Sequence, residues 1–117
     1  MDNCQDSTAI VLDQLANVIK SRKNADPEIS YTAQLLNDGI SEIARKVGEE
    51  AVECVVSSFS NKKKELIDES ADLLYHLLVL WAANEIAPQD VWREISRREG
   101  VSGVLEKADR AKGQQLL

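Results

Sequence analysis

This chain is short of the residues that would fix many other functions: among 117 residues it has two cysteines, two prolines and one histidine. Cys4 and Cys54 show neither metal-ligand spacing nor a disulfide framework. Cys54 falls inside a helical pattern and reads as a compact core residue. Both prolines, Pro27 and Pro88, lie between helical patterns and punctuate them. The lone His76 cannot supply the repeated Glu-x-x-His pairs of a di-iron bundle, because the i+3 partner of Glu50 is Glu53 and that of Glu69 is Asp72. Positive charge is in deficit, and a net charge of −6 argues against a general nucleic-acid or anionic-membrane surface. No apolar run approaches the roughly 18 residues of a membrane span. The segment Met1-Asp2-Asn3-Cys4-Gln5-Asp6 lacks the basic and apolar regions of a signal peptide, so a cytoplasmic protein is expected.

What the chain does have is helical periodicity, with strand signals nearly absent. Ile10, Val11, Leu12, Leu15, Val18 and Ile19 recur at helical spacing over residues 8 to 22, with Ser7 or Thr8 as N-cap. After a loop at 23 to 30, Ser30 caps a short helix through Leu36, which Asn37-Asp38-Gly39 ends. Ser41 begins a long helix to about Phe59, and a second runs from about Lys62 to Asn84. Pro88 opens a helix over 89 to 98, Gly100 and Gly103 bracket a turn, and 105 to 112 form a last helical turn or two. The expected fold is all-α, a single-domain bundle of about four to five helices behind a loose segment 1 to 7. The short link between the two long helices makes them antiparallel neighbours. At this size a homodimer is expected to help cover the apolar helix faces.

Those two helices carry the chemistry. Residues three apart on a helix lie about 60° from each other around the axis, so Glu50 with Glu53, and Glu69 with Asp72, each share a face. If the helices pack antiparallel, the pairs converge, and converging carboxylates repel unless a cation sits among them. An all-oxygen shell suits Mg²⁺, Mn²⁺ or Ca²⁺ rather than zinc. Asp72 also opens the run Asp72-Leu73-Leu74-Tyr75-His76-Leu77-Leu78-Val79-Leu80-Trp81, apolar nearly all round the helix and therefore expected to be buried. A buried carboxylate needs a partner. The plainer alternative for Glu50 and Glu53 is a solvated face opposite Val47, Ala51 and Val55.

The chain resembles the phosphoribosyl-ATP pyrophosphohydrolase family, within the all-α nucleoside triphosphate pyrophosphohydrolases. The resemblance rests on Ser30-Tyr31-Thr32, Lys46-Val47-Gly48-Glu49-Glu50-Ala51-Val52-Glu53, Glu69-Ser70-Ala71-Asp72-Leu73-Leu74-Tyr75-His76 and the segment from Arg97 to Arg110. It implies that Glu50, Glu53, Glu69 and Asp72 hold Mg²⁺, with Mn²⁺ as a substitute. It also implies hydrolysis of phosphoribosyl-ATP to phosphoribosyl-AMP and pyrophosphate, the second step of L-histidine biosynthesis. The middle two blocks are shared by the wider superfamily, and the first and last single out this branch.

Beside that resemblance the individual residues keep alternatives. Glu49 lies about 100° from Glu50 and flanks the metal strip, where it takes a proton from the attacking water, orients a lysine, or is an exposed helix glutamate. Lys46, one turn before Glu50, is a phosphate ligand or a surface ion-pair partner. Arg97, Ser102, Lys107 and Arg110 are the other substrate-binding candidates, against a plain basic helix end with a glycine turn. His76, on the Asp72 face, reads as a hydrogen-bonded core group, or as one that fixes a carboxylate, rather than as a catalytic base. The rival functions are a house-cleaning nucleotide pyrophosphohydrolase and a noncatalytic helical module that binds a divalent ion for stability.

Overall fold

In a computed structural model, residues 8 to 100 are described. They form five α-helices and no strand: α1 (Ile10–Ser21), α2 (Tyr31–Asp38), α3 (Ile40–Ser57), α4 (Lys63–Ala83) and α5 (Pro88–Glu99). The all-α expectation holds for these residues. The expected helical turns at 105 to 112, Gly103, Cys4 and the segment 1 to 7 lie outside the described residues. The chain divides into two compact units, one running through Ile86 and one from Ala87 onward.

The core of the first unit draws on all four of its helices: Ile19 from α1, Leu35 from α2, Ile43 from α3, and Leu78 and Val79 from α4. Ile43 and Val79 are fully buried, and truncating either to alanine would cost about 2–5 kcal/mol. Leu12, Leu15, Ala16, Tyr75 and Trp81 pack around this cluster. Ile43 meets the far half of α4 while Glu50 meets its near half, so α3 and α4 run antiparallel as a hairpin. The hairpin reaches beyond the core. Towards its tip Val52, Val55, Val56, Phe59 and Ile67 are all more than half exposed.

Local chemistry accounts for the helix ends. The Ser30 hydroxyl accepts from the Ala33 amide at 3.1 Å, the N-cap bond expected of it. Gly39 ends α2 and caps α3 at once, with φ 100° and ψ 170°, backbone open essentially to glycine alone. Its amide donates to Leu35 and its carbonyl accepts from Ile43, so α3 begins at Ile40, one residue before the expected Ser41. At α1, Ala9 occupies the cap position without a side-chain bond, and the Thr8 hydroxyl reaches only the Ile10 amide at 3.4 Å. Asn61 takes a positive φ of 64° in the link between α3 and α4, a conformation asparagine tolerates better than most residues.

One expectation fails. α4 is not buried all round: Leu74 is 44% exposed and Asp72 is exposed, while His76, Leu78 and Val79 are buried. α1, α2 and α3 all pack on α4, yet Leu74 and Asp72 stay exposed to solvent, Asp72 at the edge where it meets Glu50 of α3. The burial argument for a partner to Asp72 therefore lapses.

Candidate metal and phosphate site

The carboxylates meet where the hairpin leaves the core. Glu50, Glu69 and Asp72 each bring one oxygen to within 4.8 Å of the others, and among the described residues these three form the close cluster. Glu53 is exposed and stands outside that cluster, yet it lines the same open pocket of about 630 Å³ with Gly48, Glu49, Glu50, Val52, Glu69 and Asp72. No lysine or arginine lines this pocket among the described residues.

Like charges this close disturb each other. The Glu69 carboxyl is held above the usual carboxylate range, first because it is partly buried, then because Glu50, Glu53 and Asp72 add negative charge and Glu50 shares a hydrogen bond with it. The crowding thus bears on Glu69. The donor set is all oxygen and suits a hard divalent ion. Mg²⁺ or Mn²⁺ at about 2.1 Å from each ligand holds oxygens roughly 3 to 4 Å apart, slightly inside the span found.

The flanking residues are tied differently. Glu49 is gripped by Arg45, which also bonds Glu42 at 2.5 Å, and lies 3.5 Å from Lys46. Lys46 is half-buried and pairs with Glu49 rather than Glu50. Sequence reasoning missed Arg45, although its i, i+4 spacing to Glu49 was the signal. The Arg45 guanidinium in turn holds the Glu42 carboxyl below its ordinary value. Arg97 lies on α5, in the second unit, and grips Glu94 at 2.8 Å. Ser102, Lys107 and Arg110 lie outside the described residues.

His76 is the buried, hydrogen-bonded core group, and neither of its bonds goes to a carboxylate. Its Nδ1 is 2.8 Å from the Asp72 main-chain carbonyl, which can only accept, so Nδ1 carries the hydrogen. Nε2 is hydrogen-bonded to the Tyr31 hydroxyl at 3.2 Å. The next residues pair in the same sense, the Thr32 hydroxyl bonding that of Tyr75. Tyr31 stacks on Tyr75, and the His76 ring meets Tyr75 edge-on with centroids 5.0 Å apart. Two consecutive bonds between the first turn of α2 and α4 set their register, and with it the height of Asp72. Burial raises the Tyr75 hydroxyl pKa, against the Thr32 bond.

Gly48 is unusual in the opposite way. It sits inside α3, where glycine costs about 1 kcal/mol relative to alanine, and a Cβ built there would meet nothing within 4 Å.

An all-helical scaffold whose hairpin gathers acidic side chains around an open pocket is the arrangement implied for an all-α nucleotide pyrophosphohydrolase. The chain belongs to the phosphoribosyl-ATP pyrophosphohydrolase family, whose sequence pattern matches residues 12–99. It is 53% identical over 107 residues to a phosphoribosyl-ATP pyrophosphatase of Granulibacter bethesdensis, covering 92% of this chain and 67% of that one. It is 56% identical to the enzyme of the same name from Paramagnetospirillum magneticum, covering 87% and 94% respectively. The Trichlorobacter lovleyi enzyme of that name is 54% identical, covering 86% and 93%.

Proposed function

We propose that the chain hydrolyses phosphoribosyl-ATP to phosphoribosyl-AMP and pyrophosphate in histidine biosynthesis, using Mg²⁺, or Mn²⁺ in its place, held by Glu50, Glu69 and Asp72 with Glu53 at the rim. The observation that carries the reading is the convergence of Glu50, Glu69 and Asp72, in a family member, on a pocket that no lysine or arginine lines among the described residues. A bound divalent ion supplies the positive charge that lets an acidic pocket accept a polyphosphate and makes water more acidic near the α phosphorus. Glu49 takes the proton of the attacking water. Its hold on Lys46 favours a second role, placing that ammonium against phosphate oxygens. Glu49→Gln separates the two, since loss of a base lowers kcat and loss of a lysine's placement raises KM. Arg97, Ser102, Lys107 and Arg110 hold the phosphoribosyl phosphates. Arg110→Ala should raise KM by about tenfold or more, the loss of one charge-assisted bond.

The exposed Val55, Val56 and Phe59, together with Ile67 on α4, support a homodimer in which a second copy covers the hairpin tip. Sedimentation equilibrium of the parent and Phe59→Glu tests this, with a monomeric, fully active parent as the refuting result. No described helix is long and apolar enough to cross a membrane, and a cytoplasmic setting is part of the proposal.

The deciding experiment is pyrophosphate release from phosphoribosyl-ATP, ATP and dUTP, with and without a chelator. Preference for phosphoribosyl-ATP that vanishes on chelation is expected. Preference for dUTP or ATP would move the protein to the house-cleaning enzymes, and no release from any nucleotide would leave a binding module.

A further inference from the structure

Gly48 has no use inside this chain. Among the glycines with a described backbone only Gly39 has a positive φ, so Gly48 is ordinary helix that alanine would adopt with ease. Packing does not demand it either, because the space above its Cα is open. A glycine inside a helix weakens it relative to alanine, so the missing side chain answers to something that approaches from outside. The pocket says what that is. Its lining is acidic at Glu49, Glu50, Glu53, Glu69 and Asp72, and uncharged only at Gly48 and Val52. These two are one helical turn apart on α3, and Val52 is 60% exposed.

We propose that the bare backbone at Gly48 and the Val52 side chain form a ledge that receives the uncharged nucleoside part of the substrate, its flat base or sugar face. This rests on the pyrophosphohydrolase reading above. Phosphates are drawn to a cation among the carboxylates, and an uncharged ring resting on the ledge needs no counter-charge. Without a Cβ at Gly48 the ring can come against the helix backbone itself. The rest of the apolar stripe, Val55, Val56 and Phe59, lies outside the pocket lining and is left to the second copy.

Gly48→Ala and Gly48→Leu test the proposal through four readings on the full chain: thermal melting without metal, Mn²⁺ titration calorimetry, sedimentation, and kinetics on phosphoribosyl-ATP. Alanine should raise the melting temperature, since it favours the helix, and leave Mn²⁺ affinity and oligomeric state as in the parent. It should raise KM by about tenfold, the scale of one misplaced methyl in a fitted pocket, and leucine should raise it further. Improved stability with impaired substrate binding is an outcome no internal structural role produces. Unaltered KM in both variants overturns the ledge. A raised KM that accompanies dissociation overturns it in favour of a partner contact, and a lowered melting temperature for Gly48→Ala overturns it in favour of packing within the chain. A parent that neither binds Mn²⁺ nor releases pyrophosphate would instead defeat the catalytic reading on which the ledge rests.

Discussion

Glu69 and Glu94 are the same residue in opposite circumstances. Glu94 on α5 accepts from Arg97 and Arg98, each at 2.8 Å, and these guanidinium bonds pull its carboxyl down to about 2. Glu69 on α4 faces Glu50, Glu53 and Asp72, and its carboxyl is pushed up. The helix period made both neighbourhoods, with partners three or four residues away around Glu94, and Asp72 three residues away with Glu50 and Glu53 across the hairpin around Glu69. The first is complete in itself and asks for no ligand. The second is left in deficit by the fold, and a deficit of positive charge on a surface is what a metal ion and its phosphate ligands can fill.

The sharpest way to break this contrast is to remove a charge from the crowded side. Glu50→Gln or Asp72→Asn should lower pyrophosphate release by at least about 100-fold, more than loss of an outer hydrogen bond to a metal ligand, with circular dichroism unchanged. Unaltered turnover and Mn²⁺ affinity in both would mean that the cluster is only a solvated face. Next in size is a reversal of stability with conditions. Free of metal at neutral pH, Glu69→Gln should melt above the parent because it relieves the crowding. In excess Mn²⁺ the order should invert, since an ion at about 100 times its Kd adds roughly 2.7 kcal/mol to the protein that binds it. Scanning calorimetry with and without the ion reads both halves, and a variant less stable in each condition counts against unrelieved repulsion.

Glu94→Gln carries the smallest effect and tests the opposite pole. Because its folded pKa is depressed from 4.5 to about 2, the stability that Glu94 contributes is fully present above about 4.5 and lost as pH falls towards 2. The variant should therefore unfold slightly more easily than the parent near pH 7 and match it near pH 2. The exposure of the pair keeps the difference small. A gap that widens in acid would contradict the pairing.

What the sequence made legible was whatever a single helix decides. Ser30 as a cap and the pause at Gly39 are local facts, and the structure keeps both; of the two i, i+3 carboxylate pairs, Glu69 and Asp72 meet Glu50 in one cluster while Glu53 only lines the same pocket. Asp72 was misjudged because a helical wheel counts apolar neighbours without knowing which side of α4 the other helices cover. His76 is the buried, hydrogen-bonded core group that its apolar surroundings suggested, but its partners, the Asp72 main-chain carbonyl and the Tyr31 hydroxyl that α2 brings across, follow from packing that spacing does not supply. The Arg45 bond to Glu49 follows from i, i+4 spacing alone, the same rule that offers Lys46 to Glu50. The outer position of Glu53 depends on the hairpin's geometry, which no spacing rule supplies.

Gly39 also sets a rule about length. Since α2 and α3 share this one residue as end and beginning, no slack separates the tyrosine–histidine anchor from the carboxylates of α3. A single amino acid inserted or deleted between Gly39 and Glu50 would turn Glu50 and Glu53 by about 100° away from Glu69, whereas 22 to 30 and 58 to 62 lie outside the helices and can lengthen without touching that phase. Gene-level drift in this protein should therefore allow insertions and deletions in those two connections and purge them between Gly39 and Glu53. A library of single-codon insertions, selected for growth without histidine, would map that boundary directly.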